Sequence, residues 1–104
     1  MSDVPYFEIN SSSSDFNLFS NGPIKDTDGF YERLYEFIYK NLNSIYKEEL
    51  LCYLVNPEGI IMEATLDEDS YFKSLNKCIE YYEDCEEYEK CNKIKNLIKK
   101  YGLQ

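Results

Sequence analysis

The C-terminal third of the chain carries two regular apolar stripes that cannot belong to one helix. Phe72, Leu75, Ile79 and Tyr82 follow the spacing of a buried helical face. Continued in phase, that face would bury Glu86, Glu89, Lys93 and Asn96. A second stripe, Tyr88, Cys91, Ile94, Ile98 and Tyr101, takes over out of step with the first. Charge marks the same point. In one straight helix Glu80 and Asp84, and Glu83 and Glu87, would form destabilising like-charge i,i+4 pairs. A break between about Asp84 and Glu87 instead places Glu86, Glu87 and Glu89 at the start of a new helix, where the dipole favours them. It also permits Glu86–Lys90 and Glu89–Lys93 pairs and leaves Lys99 and Lys100 in a last turn ended by Gly102. Residues 66–101 are therefore expected to form an antiparallel helical hairpin. Glu80, Glu83 and Asp84 stay at the unfavourable end of its first helix.

Upstream, a helix is predicted from Asp26 to Asp28 onward, where side-chain oxygens can cap its free N–H groups. Its stripe is Phe30, Leu34, Phe37, Ile38, Leu42 and Ile45, flanked by Tyr31, Tyr35, Tyr39 and Tyr46, with a Glu36–Lys40 pair on the polar side. The phase runs on through Leu50, Tyr53 and Leu54, which favours continued helix up to the turn Asn56-Pro57-Glu58-Gly59. The rival reading makes residues 50–55 and 60–66 the arms of a short β-hairpin around that turn. Thr65 and Glu68 match a capping box for the next helix. Residues 1–25 hold a serine run and a Gly-Pro pair without helical period, and are expected to be an irregular tail. The expected fold is a mainly α, three-helix single domain over residues 26–104, with the C-terminal antiparallel hairpin and the β-hairpin as the alternative for residues 50–65.

The tail contains Asp15-Phe16-Asn17-Leu18-Phe19, whose apolar residues need cover, either against helix one or against a partner. The segment resembles the pentapeptide by which bacterial and phage proteins dock on the sliding clamp, matching at Leu18 and Phe19, with Asp15 where that motif has glutamine.

The four cysteines, at 52, 78, 85 and 91, lack the close pairing of a zinc site, and the chain has no histidine. They read as reduced core or boundary residues, with neither metal nor cofactor implied. All 20 acids lie in residues 1–92 beside seven of the 11 bases, while residues 93–104 hold four lysines and no acid. A net charge of −9 repels nucleic acid and anionic lipid, and matches a basic surface on another protein. The absence of a long apolar run or a signal-like start suggests a cytoplasmic protein.

Tyr88 to Ile98, "YEKCNKIKNLI", resembles the second helix of the UVR motif, the helical hairpin of bacterial excision-repair and some protease-adaptor proteins. Tyr88, Glu89, Lys90, Cys91, Ile94, Lys95 and Ile98 match in order, Ile79 and Tyr82 fit the preceding helix, and Asn92 and Asn96 depart from the usual alanine and aspartate. The resemblance covers about a quarter of the chain and implies protein–protein contact without catalysis. The Asn-, Lys-, Ile- and Tyr-rich composition suggests an AT-rich genome, and the short chain resembles small bacteriophage proteins, which would place it in a host cytoplasm.

The functional expectation is a small acidic, non-enzymatic adaptor or regulator that binds a larger protein. Tyr82, Glu86, Glu87, Tyr88, Cys91 and Ile94 of the hairpin are the candidate contacts, together with Phe16, Leu18 and Phe19. Two alternatives stand. One is a nucleic-acid mimic that inhibits a DNA- or RNA-binding protein such as a defence nuclease, carried by "EYYEDCEEYE" at 80–89. The other is a structural subunit of a virion or other assembly, which would self-associate. No nucleophile, phosphate loop or histidine marks an enzyme.

Overall fold

In a computed structural model, the structure describes residues 4–10 and 24–104. The elements run β1 (Tyr6–Glu8), α1 (Thr27–Asn43), β2 (Leu50–Val55), β3 (Ile61–Thr65), α2 (Tyr71–Asp84) and α3 (Tyr88–Tyr101). The fold is thus mixed α/β rather than mainly α. A three-stranded sheet of order β1-β2-β3 packs against α1, and one hydrophobic core joins them to α2 and α3.

Residues 50–65 form the β-hairpin, not a continuation of α1. Helix α1 ends because Asn41 competes for the chain beyond it. Its amide donates to the Glu48 carbonyl (2.9 Å) and its Oδ1 accepts from the Glu48 N–H (2.9 Å), while Ser44 is already extended. At the hairpin turn, Asn56 Oδ1 accepts from the N–H groups of Glu58 and Ile60, and Gly59 takes a φ of 84° that suits a residue without Cβ. Ile45, assigned to the buried stripe, is therefore in the connecting loop and 86% exposed; Tyr39 and Tyr46 are exposed too. Tyr31 and Tyr35 pack half-buried on the core, as core-edge phenols do.

The expected tail also contributes structure. Tyr6-Phe7-Glu8 pairs parallel with Tyr53-Leu54-Val55, and Ile9 bridges Ile24. The cause is a short period-2 alternation: Phe7 and Ile9 are buried while Tyr6 and Glu8 face out. The segment Phe16, Leu18 and Phe19 lies outside the described residues.

Arg33 ties helix to sheet. A register shift between Leu50 and Cys52 leaves carbonyls off the ladder, and Arg33 donates to Leu51 O (2.7 Å) and Leu50 O (3.2 Å) while pairing with Glu48 (3.1 Å). Its guanidinium also lies over the Phe37 ring.

The expected capping box does not form. Thr65 is committed to β3 opposite Leu50, so the chain enters through a 3₁₀ turn, Glu68–Ser70, and α2 begins at Tyr71. The predicted break is present: α2 stops at Asp84 and α3 starts at Tyr88. Both helices end in the same hydrogen-bond pattern. Glu87 N–H reaches Tyr82 O (2.8 Å) and Glu86 N–H reaches Glu83 O (3.0 Å); Leu103 N–H reaches Ile98 O and Gly102 N–H reaches Lys99 O. This is the Schellman turn, whose pivot sits in the left-handed region: Gly102 at φ 60°, but Glu86 at φ 59°. A side chain at that φ costs about 1 kcal/mol, so Glu86→Gly is expected to raise stability by up to about that amount in urea unfolding. An unchanged or lowered midpoint would show that Glu86 is held there without strain.

Candidate interaction surface at the helical turn

Helix direction decides which charges meet. Tyr31 stacks on Tyr81 (4.4 Å) and Asn41 donates to the Tyr71 hydroxyl (3.0 Å), so α1 and α2 run antiparallel. The Tyr101 hydroxyl bonds Asn43 at the far end of α1, so α3 runs parallel to α1. The N-termini of α1 and α3 and the C-terminus of α2 therefore share one pole. This accounts for Glu80, Glu83 and Asp84, which sit unfavourably on their own helix: they lie beside the positive ends of two others.

That pole gathers carboxylates from separate parts of the chain. The six acids of residues 80–89 are all exposed, and α1 adds Asp28 and Glu32. Asp28 accepts a hydrogen bond from Tyr81. The Cys85 thiol, exposed in the turn, is held above its ordinary pKa by local desolvation and then by the carboxylates of Asp28, Glu87 and Asp84. Tyr82 is likewise pushed up, first by burial and then by Cys78, Glu32, Glu87 and Asp28. Lys90 pairs with Glu87 (3.4 Å), not with Glu86, which stands off the helix in the turn. Neither Glu36–Lys40 nor Glu89–Lys93 is among the ion pairs of the described residues.

From this pole a seam runs between α1 and α3. Its first part is a cleft of about 190 Å³ lined by Glu32, Tyr35, Glu36, Tyr82, Lys90, Lys93 and Ile94. A shallower depression continues past Tyr35, Tyr39, Lys93 and Lys100. Carboxylates rim one side and ammonium groups the other, over a floor of aromatic rings; Lys90 lies 5.0 Å from the centre of the Tyr82 ring. Such a surface offers charge contacts and tyrosine hydroxyls to a partner.

The predicted contact residues divide sharply. Tyr82, Cys91 and Ile94 belong to the core, at 4%, 2% and 2% exposure, because α1 and α2 cover the hairpin stripe. All three are core residues rather than exposed contacts, and of them Tyr82 and Ile94 edge the cleft. Glu86, Glu87 and Tyr88 are exposed at the turn, Tyr88 at 59%. Phe16, Leu18 and Phe19 are outside the described residues. Asp28 and Glu32 join the site from a helix that sequence spacing does not connect to it.

Among the described residues, no group of three or more Cys, Asp or Glu side chains is arranged to hold a metal ion, and no helix is long and apolar enough to cross a membrane. No protein-family model, curated protein or solved structure matches the chain.

Proposed function

We propose that the chain is a small acidic, non-enzymatic interaction module, an adaptor or regulator, that engages a basic surface of a larger protein through the α2–α3 turn. The observation that carries this reading is Glu86. A left-handed turn position that suits glycine holds a carboxylate instead, at the apex of a pole where acids from α1, α2 and α3 converge. The exposed ring of Tyr88 beside it has the character of an interface anchor. The resemblance of the hairpin to the UVR motif supports a role in protein contact. A nucleic-acid mimic is the second reading, favoured by the convergence of Asp28 and Glu32 with the acids of the turn.

Affinity capture from the native cell, with a salt series on the captured partner, tests this. Neutralising Glu83, Glu86, Glu87 and Glu89 together to glutamine is expected to weaken retention about tenfold or more, and Tyr88→Ala to weaken it without unfolding. Glu86→Gly should bind less well although it is more stable. A partner held equally by the neutralised variant at the same salt would remove the turn as the contact. Release of the partner by a double-stranded oligonucleotide would favour mimicry.

A further inference from the structure

The sheet has one edge that nothing described covers. On the β1 side, Lys25 N–H donates to Glu8 O (2.9 Å) and Ile9 bridges Ile24, so that edge is covered at its Glu8–Ile9 end. On the other side β3 has a single neighbour, β2. Asn56 N–H donates to Ile60 O (3.0 Å), and Leu54 opposes Met62. Antiparallel alternation then directs the backbone groups of Ile60 and Met62 toward β2 and those of Ile61 and Glu63 away from it. Among the described residues, nothing bonds those outward N–H and C=O groups.

The side chains above this edge are exposed as well. Register sets Tyr6, Tyr53 and Glu63 in one cross-strand row and Glu8, Val55 and Ile61 in the next, on the face opposite the buried Phe7 and Leu54. Tyr6 stacks on Tyr53 (4.7 Å) yet is 60% exposed, and Ile60 and Ile61 are 54% and 55% exposed. Proteins usually blunt such an edge with lysine, proline or a bulge. Here Glu63 is the one charge within β3, and the register shift of the β2–β3 pair lies at its far end, beside Thr65.

We propose that the β3 edge is the docking site for an extended segment of a partner protein that adds as a fourth strand, with an apolar residue beside Ile61 and a lysine or arginine beside Glu63. Charge selects this occupant over a second copy. A twofold pairing of β3 with itself across its full length puts Glu63 directly against Glu63, between two bodies of net charge −9. A basic strand meets the same two residues with opposite sign. This surface is separate from the acidic turn, so either can fail alone.

The probe is the acetylated, amidated peptide Thr-Val-Lys-Val-Val-Lys-Thr, titrated into the full chain and monitored by amide NMR and hydrogen exchange. The expected result is slowing of exchange at the Ile61 and Glu63 amides by about tenfold or more, lost when the fifth residue, the valine set beside Ile61 with its N–H toward β3, is N-methylated. The variant Glu63→Lys should weaken the lysine peptide about tenfold and accept its glutamate counterpart. The edge proposal is overturned by any of three results: no protection at about 1 mM peptide; shifts confined to Glu86–Glu89, which would leave the acidic-turn reading standing; or concentration-dependent protection without peptide, which would make the occupant a second copy.

Discussion

Replacing Asn41 with leucine is expected to lower the stability of the fold by about 3 kcal/mol. Asn41 is 1% exposed, and its amide joins three elements: it donates to Glu48 O and to the Tyr71 hydroxyl and accepts from Glu48 N–H, while Lys47 donates to its backbone carbonyl. Leucine has the same heavy-atom branching, though more bulk, and leaves the Glu48 peptide groups and the Tyr71 hydroxyl without these partners in a place water reaches poorly. The loss should be local before it is global, with the Glu48 amide exchanging quickly in a chain that is still folded. Asn41→Asp, which keeps the acceptor and loses the donor, should fall between the two. A change below about 1 kcal/mol, with the Glu48 amide still protected, would mean that the loop holds its shape without this side chain.

Asn41 and Arg33 also mark the limit of what can be read along the chain. Both sit among the apolar positions of α1 as ordinary polar residues, and their partners lie seven to thirty positions away. Local features were legible: the Asp26 cap, which bonds Gly29 N–H, the break before Tyr88, and the stop at Gly102. Their causes act within one or two turns. The hairpin of residues 50–65 was legible only as an alternative, because "LLCYLV" is apolar on both phases, and helix or strand is decided by the loop that Asn41 anchors rather than by the run itself. At the site, periodicity identified the two stripes that contain Tyr82 and Cys91 with Ile94 but could not say what covers them. A regular apolar face looks the same whether its own domain or a partner fills it. The convergence of Asp28 and Glu32 on the turn depends on α1 and α3 running parallel, a relation set by tertiary packing.

Raising the pH above about 9 is expected to unfold the protein far more readily than loss of surface ion pairs would explain. Burial pushes the thiols of Cys52 and Cys78 from an ordinary 9.0 up to about 12, opposed at Cys52 by the nearby Arg33 charge. Below pH 9 both are neutral in either state, and their contribution is fully present. Between 9 and 12 the unfolded chain releases these protons while the folded one keeps them, so stability falls by about 1.4 kcal/mol per pH unit for each thiol and is lost as pH rises through the folded value. At pH ~11 the two together amount to about 5 kcal/mol, comparable with the whole stability of a domain of this size. Burial also raises Tyr31, Tyr35, Tyr71 and Tyr82 above the ordinary phenol value, which steepens the decline above about 10 in the same direction. Urea unfolding at a series of pH values from ~8 to ~11 measures the slope. The double variant Cys52→Ala, Cys78→Ala starts from lower stability because it empties two core positions, but it has no thiol to titrate there. Its stability should therefore fall less steeply than the parent's, by about 2.7 kcal/mol per pH unit. Equal slopes for the two proteins would show that these two thiols do not carry the alkaline transition.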